Sequence, residues 1–403
     1  MTTIPKEYTP ISADSHLEIS AGRWTHLVPK KYIDQAPRTV LIENASDVGS
    51  FAGGQTLRNE GHAIGDGPVS MGVGTFDSNN GGGPPAQRLK EQETDGIAAE
   101  VLYPATYTNM FRQIKDEDAY RAVIHAYNQW LAEEYCEYAP DRLIGMGLMP
   151  GTGVDGAILE LQACARMGLK GVALNCFPNG NMFPTPEDDL FWAEAIAMKM
   201  PITVHVQFAF GPGSTESNTN YPLFKYAKTP KVMQESRRDP IRRFITPFCP
   251  FAGREIVQLM FAGVFDRFPE LQIYFAETNI GWIANWIERM DGQYEKNQDW
   301  AEALFDLPHL ARRPSDYVRE QVQWGLGSNA VGVQQRDYIG GAGRILWYTD
   351  FPHPATNWPN SSVWLEQNFG AASNNSVTDE ERYMMTVGNV VNFFHLDSAV
   401  SHS

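Results

Sequence analysis

Cysteine is scarce in this chain. Four occur in 403 residues, Cys136, Cys164, Cys176 and Cys249, scattered and never spaced as CxxC. That excludes a disulfide frame and a thiolate zinc knuckle, and it fits reduced core residues of a cytoplasmic protein. Positive charge is scarce too: 32 Lys and Arg stand against 48 Asp and Glu, a net −16. Such a balance disfavours nucleic acid or an anionic membrane as partner, although a bound cation can reverse the local field for an anionic substrate. No apolar run is long enough to span a bilayer, and the polar stretch from Met1 to Pro10 carries no secretory signal pattern. No GxGxxG follows the first predicted strand, no GxSxG nucleophile motif occurs, and no period of solenoid or propeller length repeats. The rest is an ordinary globular composition, 43% hydrophobic, 12% aromatic and 20% charged, which argues against disorder. The length suits one large α/β barrel with insertions, or two or three small domains.

The most informative stretch is Ile11-Ser-Ala-Asp-Ser-His-Leu-Glu18. It starts as an apolar strand and ends in acids and a histidine at alternate positions. Alternation along a strand points Asp14 and His16 the same way, and Glu18 with them if the strand persists.

From Arg88 onward strands and helices alternate. Strands are predicted at Ala98–Pro104, Leu143–Pro150, Gly171–Cys176, Pro201–Val206, Leu271–Glu277, Gln321–Gly327 and Arg344–Asp350, and helical spacing separates most of them. With the first stretch this makes eight strands. Most are near-continuous apolar runs, as in parallel sheets buried on both faces. The expected architecture is a single (β/α)8 TIM-barrel domain over residues 1–403, with the active site at the C-terminal strand ends. Two long insertions interrupt it. Residues 43–87, rich in Gly, Asn and Ser, suit a lid or a plain exposed loop equally; residues 208–250 carry Arg237, Arg238, Arg242 and Arg243.

The predicted strand ends carry Asp14, His16 and Glu18 on the first, His205 on the fifth, Glu277 on the sixth and Asp350 on the eighth, with His353 just beyond. A lone strand histidine is more often a satisfied core group than a ligand, and a lone strand-end acid is usually a helix cap. Four strand ends carrying only His, Asp and Glu are different, because anionic groups crowded at a barrel mouth need a cation. His353 could support the site from behind. For His26, His62, His125 and Arg254, packing or a solvated face is the better reading.

At this point the chain resembles the amidohydrolase-2 family, the metal-dependent barrel enzymes that include aminocarboxymuconate-semialdehyde and resorcylate-type decarboxylases. The resemblance rests on Ala13-Asp-Ser-His-Leu-Glu18, Asp95–Pro104, Tyr127–Trp130, Pro140–Leu143, Pro201–His205, Gly263–Pro269, Gly281-Trp282, Pro314-Ser315 and Thr349-Asp-Phe-Pro-His353. It implies metal ligation by Asp14, His16, His205 and Asp350. The sequence departs from the family where Asp14 replaces a common histidine, and where Glu277 stands in place of the decarboxylases' substrate-side histidine.

The inventory of Asp14, His16, Glu18, His205, Glu277 and Asp350 is four carboxylates and two histidines, the ligand set of carboxylate-bridged di-iron centres. Two functions follow as expectations. The first is an oxygen-activating non-heme di-iron monooxygenase acting on a bulky, largely apolar small molecule, similar to one branch of the family. The second is a zinc- or manganese-dependent hydrolase or non-oxidative decarboxylase, with Asp350 as proton shuttle and Glu277 as base. Either asks for divalent metal: two irons in the first case, one or two zinc or manganese ions in the second. The resemblance also implies a homo-oligomer, expected as a dimer.

Overall fold

The computed structural model describes residues 8–42, 60–66, 80–181, 183–208, 252–305, 308–353, 355–370, 373 and 376–397. Residues 209–250 of the second insertion and most of the first, 43–87, lie outside them, as do the four arginines at 237–243.

Ten strands occur among the described residues: β1 Ile11–His16, β2 Arg38–Leu41, β3 Glu60–Ala63, β4 Ala99–Tyr103, β5 Leu143–Leu148, β6 Gly171–Ala173, β7 Ile202–His205, β8 Ile273–Ala276, β9 Val322–Leu326 and β10 Ile345–Trp347. Eight form one sheet in the order β1-β4-β5-β6-β7-β8-β9-β10, every adjacent pair parallel. The sheet closes on itself beyond β10. Asp350 N donates to Asp14 O at 3.0 Å and His16 N to Phe351 O at 2.7 Å, pairing the end of β1 with the segment after β10. The fold is a (β/α)8 barrel, as the apolar strand runs predict. These runs are buried throughout, except at His205 on the rim.

Helices α1 Pro85–Asp95, α2 Glu117–Trp130, α3 Val154–Met167, α4 Asp189–Ala197, α5 Ala252–Phe261, α6 Val264–Arg267, α7 Ile283–Phe305, α8 Pro314–Gln321, α9 Ala330–Gln334 and α10 Ser361–Phe369 fill the connections. Local chemistry sets their ends. The Asp116 carboxylate caps α2 by accepting from Asp118 N and Ala119 N. Gly168, at φ 91°, stops α3 in the left-handed conformation that only glycine adopts without cost. The helical segment leading into β8 is broken at Gly263 (φ 69°) into α5 and α6. In the tail, α11 Asp379–Tyr383 and α12 Asn389–Phe393 flank a wider turn at Met384–Gly388.

Two apolar cores result. Alternate strand residues such as Val101, Ile144, Met146, Tyr274 and Leu346 pack with Val390 and Phe394 of the tail. The opposite strand faces pack on the helices through Leu102, Leu143, Phe275 and Trp324. Around Ala13 and Asp14 the register of β1 slips against β4, with Ser12 opposite Glu100 but Ser15 opposite Leu102. Such a bulge re-aims the side chains that follow it. Here those are the first acid and histidine of the site.

The antiparallel hairpin β2–β3 is a difference from the sequence expectation. Glu60-Gly-His-Ala has little strand propensity and sits in what reads as a loop.

Candidate metal centre

The rim where the strands end brings together Asp14 and His16 of β1, His205 at the end of β7, Glu277 just past β8 and Asp350 just past β10. His16 Nε2 lies 3.6 Å from Asp14 Oδ1 and 3.4 Å from Asp350 Oδ1. His205 Nε2 lies 3.5 Å from Asp14 Oδ2 and 3.6 Å from Glu277 Oε2. Two donor atoms each about 2.1 Å from one tetrahedral zinc stand about 3.4 Å apart, so these are separations that a shared cation imposes.

Hydrogen bonding supports the same conclusion. Both carboxylate oxygens of Asp14 and of Asp350, both ring nitrogens of His16, and His205 Nε2 are buried with no hydrogen-bond partner among the described residues. Leaving so many buried polar atoms unsatisfied costs far more than a folded chain tolerates, unless another group meets them. The groups Asp14, His16, His205 and His16, Asp350, His353 each have ligand atoms within 4.8 Å of one another. The donor set therefore fits a divalent cation of the zinc or manganese kind, which accepts imidazole and carboxylate together.

Glu18 is placed differently. The strand ends at His16, and Glu18 Oε1 accepts from Thr106 N (2.9 Å), Thr106 Oγ1 (2.8 Å) and His353 Nε2 (3.1 Å). It sits behind His353, outside both ligand groups. His353 stacks on the His16 ring with centroids 3.7 Å apart, and its Nδ1 lies 3.2 Å from Asp350 Oδ1, though not aligned as a hydrogen bond.

The field inside the site is strong. Burial, and then the charge of Asp350, push Glu277 up to about 8. Burial resists ionisation of Glu18, but the His353 and Thr106 hydrogen bonds outweigh it and hold Glu18 at about 2. Burial opposes charge on His353 as well, yet Asp350 and Glu18 on its two sides raise it well above the usual imidazole value. His16 is lowered, by burial and by His353. Val206, Glu277 and Asp350, at three strand ends, adopt left-handed backbone angles (φ 61°, 52° and 56°), strain that marks functional rims.

One supporting element left no signal in the sequence reading. Arg88 of α1 is buried and pairs with Glu100 of β4, Nε to Oε2 at 2.7 Å and Nη2 to Oε1 at 3.2 Å. It also donates to His16 O (2.9 Å) and Phe351 O (3.2 Å). One guanidinium thus fixes both sides of the barrel seam, next to two metal-facing residues. The weaker candidates are accounted for elsewhere: His26 meets Glu134 on the surface, His62 stacks on Tyr107, His125 meets Glu160 and Arg254 meets Glu255.

The amidohydrolase family model, Amidohydro_2, matches residues 81–396. The chain belongs to this family. Amidohydrolases of this group are metal-dependent enzymes, consistent with the donor set at the rim. A comparison with curated proteins gives no match. Among solved structures, the chain is similar to an amidohydrolase of Mycobacterium avium subsp. paratuberculosis K-10 (TM-score 0.69, 14% identity, covering 98% of this chain and 100% of that one). It is similar to 5-carboxyvanillate decarboxylase of Sphingomonas paucimobilis (0.64, 15%, 97% and 100%). A third is a dihydroxybenzoic acid decarboxylase of Polaromonas sp. JS666 with bound manganese and 2-nitroresorcinol (0.58, 20%, 97% and 98%). At these identities the likeness establishes the barrel fold of the amidohydrolase chain and no particular reaction.

Proposed function

We propose that this amidohydrolase is a divalent-metal-dependent, redox-neutral decarboxylase of small carboxylated aromatic compounds. The observation that carries the reading is the set of orphaned donor atoms of Asp14, His16, His205 and Asp350 around one centre, with the Glu277 carboxyl beside it. Of the six residues of the di-iron reading, Glu18 is turned away, its Oε1 accepting from Thr106 and facing His353 Nε2. The manganese-bearing decarboxylase among the similar structures supports manganese over iron and carbon–carbon cleavage over oxygenation.

When bound, the cation supplies positive charge that holds and polarises an anionic substrate. Asp14, His16, His205 and Asp350 would hold it. His205 and Glu277, with side chains 25% and 12% exposed, mark the open side from which substrate arrives. Tyr103, its ring centroid 5.1 Å from that of His205, forms a wall of the site. In the metal-free protein burial and then Asp350 favour the protonated form of Glu277, and an anionic substrate acts in the same direction. As the bond to the carboxylate breaks, its electron pair stays on the ring carbon, carbon dioxide departs, and Glu277 gives its proton to that carbon. Water returns the proton to Glu277.

The test is anaerobic turnover of a panel of carboxylated phenols by manganese-loaded protein, reading carbon dioxide release. Glu277→Gln should slow it by roughly 10²–10⁴-fold, the usual contribution of a positioned acid. Turnover that depends on molecular oxygen would instead favour the monooxygenase.

A further inference from the structure

The decarboxylase reading uses one cation and leaves His353 and Glu18 without a part. We propose that His353 ligates a second divalent cation through Nδ1, bridged to the first by Asp350, and that Glu18 is the carboxylate that orients the ring. The inference rests on the first centre being a metal site as argued above.

The first support is the state of the His353 ring. Its Nε2 faces Glu18 Oε1 at 3.1 Å, an oxygen that already accepts from Thr106 N and Thr106 Oγ1. A carboxylate oxygen has nothing to donate, so Nε2 carries the hydrogen, and Nδ1 presents its lone pair whenever the ring is neutral. Metal-bound histidines have this arrangement, one nitrogen on the metal and the other donating to a carboxylate. The second support is position. Nδ1 lies 3.2 Å from Asp350 Oδ1, and His16, Asp350 and His353 have ligand atoms within 4.8 Å of one another, beside the group of Asp14, His16 and His205, with which they share His16. His16 Nε2 has one lone pair and can serve only one ion, whereas Asp350 has two oxygens, both without a hydrogen-bond partner among the described residues, and can serve both.

Charge is the third support. With Glu277 protonated, Asp14, Glu18 and Asp350 still bring three carboxylates to the site, one more formal charge than a single divalent ion offsets. A cation held by one imidazole and one bridging carboxylate keeps several positions for water or substrate. It should therefore bind more weakly than the first.

The experiment is a manganese titration of metal-stripped protein, with bound metal counted per chain and electron paramagnetic resonance recorded at each step. Two equivalents are expected, the second giving the spin-coupled spectrum of ions about 3.5–4 Å apart. His353→Ala should keep the first equivalent and lose the second together with the coupling. Glu18→Gln should keep both ligands but weaken the second equivalent by about 10–100-fold, as loss of an orienting carboxylate does. One equivalent at saturation in the unaltered protein would overturn the proposal, as would two equivalents in His353→Ala. If His353→Ala does not fold, an unchanged second equivalent in Glu18→Gln also overturns it. Two coupled ions without carbon dioxide release would remove the decarboxylase reading and leave this one standing.

Discussion

His205 is the most exposed of the proposed ligands, at 25%, and the strand that carries it is otherwise buried. Its Nε2 faces two carboxylates at 3.5–3.6 Å and has no hydrogen-bond partner among the described residues, so it supports nothing in the barrel that a cation does not mediate. His205→Ala should therefore abolish metal loading and leave the circular dichroism and elution volume unchanged. Retention of normal metal content by that variant would remove His205 from the centre. The residues themselves explain why this part of the site is legible in the sequence. Asp14, His16 and His205 lie on strands and Glu277 immediately after one, where a strand's own periodicity says where a side chain goes; Asp350, three residues past β10, is still tied to the sheet by its N–H to Asp14 O. Glu18 lies two residues past its strand, and the chain turns it onto Thr106 instead. His353, three residues beyond Asp350, has the same difficulty, since no periodicity extends into the turn that brings it onto the His16 ring.

At the scale of elements, the seam between β1 and the chain after β10 is the weak point of the barrel, because the sheet is completed there by a few backbone contacts rather than by a strand pair. Arg88 reaches across it from α1. The sequence shows a short helix there, over Leu89–Asp95, but nothing in local spacing shows that Arg88 just before it faces inward to a glutamate on β4 and to two carbonyls from distant parts of the chain. Sequence periodicity exposes the eight apolar strands but not this polar cross-link, nor the β2–β3 hairpin with its weak strand formers. Arg88→Met should cost about 3–5 kcal/mol in urea unfolding, because Glu100 is left buried and charged. The double variant Arg88→Met/Glu100→Gln should recover part of that. Metal affinity should remain weakened in the double variant, since the carbonyls of His16 and Phe351 still lack their donor. A double variant with full metal affinity would confine Arg88 to packing.

For the whole molecule, the acidic rim makes stability depend on pH and metal together. A carboxyl whose folded value is raised binds its proton more tightly when folded, so Glu277, moved from 4.5 to about 8, stabilises the metal-stripped protein below pH 4.5 and loses that contribution as pH rises through 8. His353, also raised, acts in the same direction: its contribution is present below the ordinary imidazole value of 6.5 and is lost as pH rises through its higher folded value. Glu18 is lowered to about 2, so its contribution is present above pH 4.5 and lost as pH falls toward 2. Below pH 6.5 the lowered His16 and His62 act in the opposite direction, gaining stability as pH rises, so the steady loss of stability of the stripped protein is expected from pH 6.5 to 9. A divalent ion reverses the slope, because it binds the deprotonated ligands and releases their protons. Melting temperatures across pH 5–9, with manganese and with chelator, check this. The two curves should meet near pH 5 and separate by several degrees at pH 8, since saturation at a thousand times the dissociation constant contributes about 4 kcal/mol. Parallel curves would mean that the buried acids and imidazoles of the rim do not exchange protons for metal, and the centre would have to be sought elsewhere in the barrel.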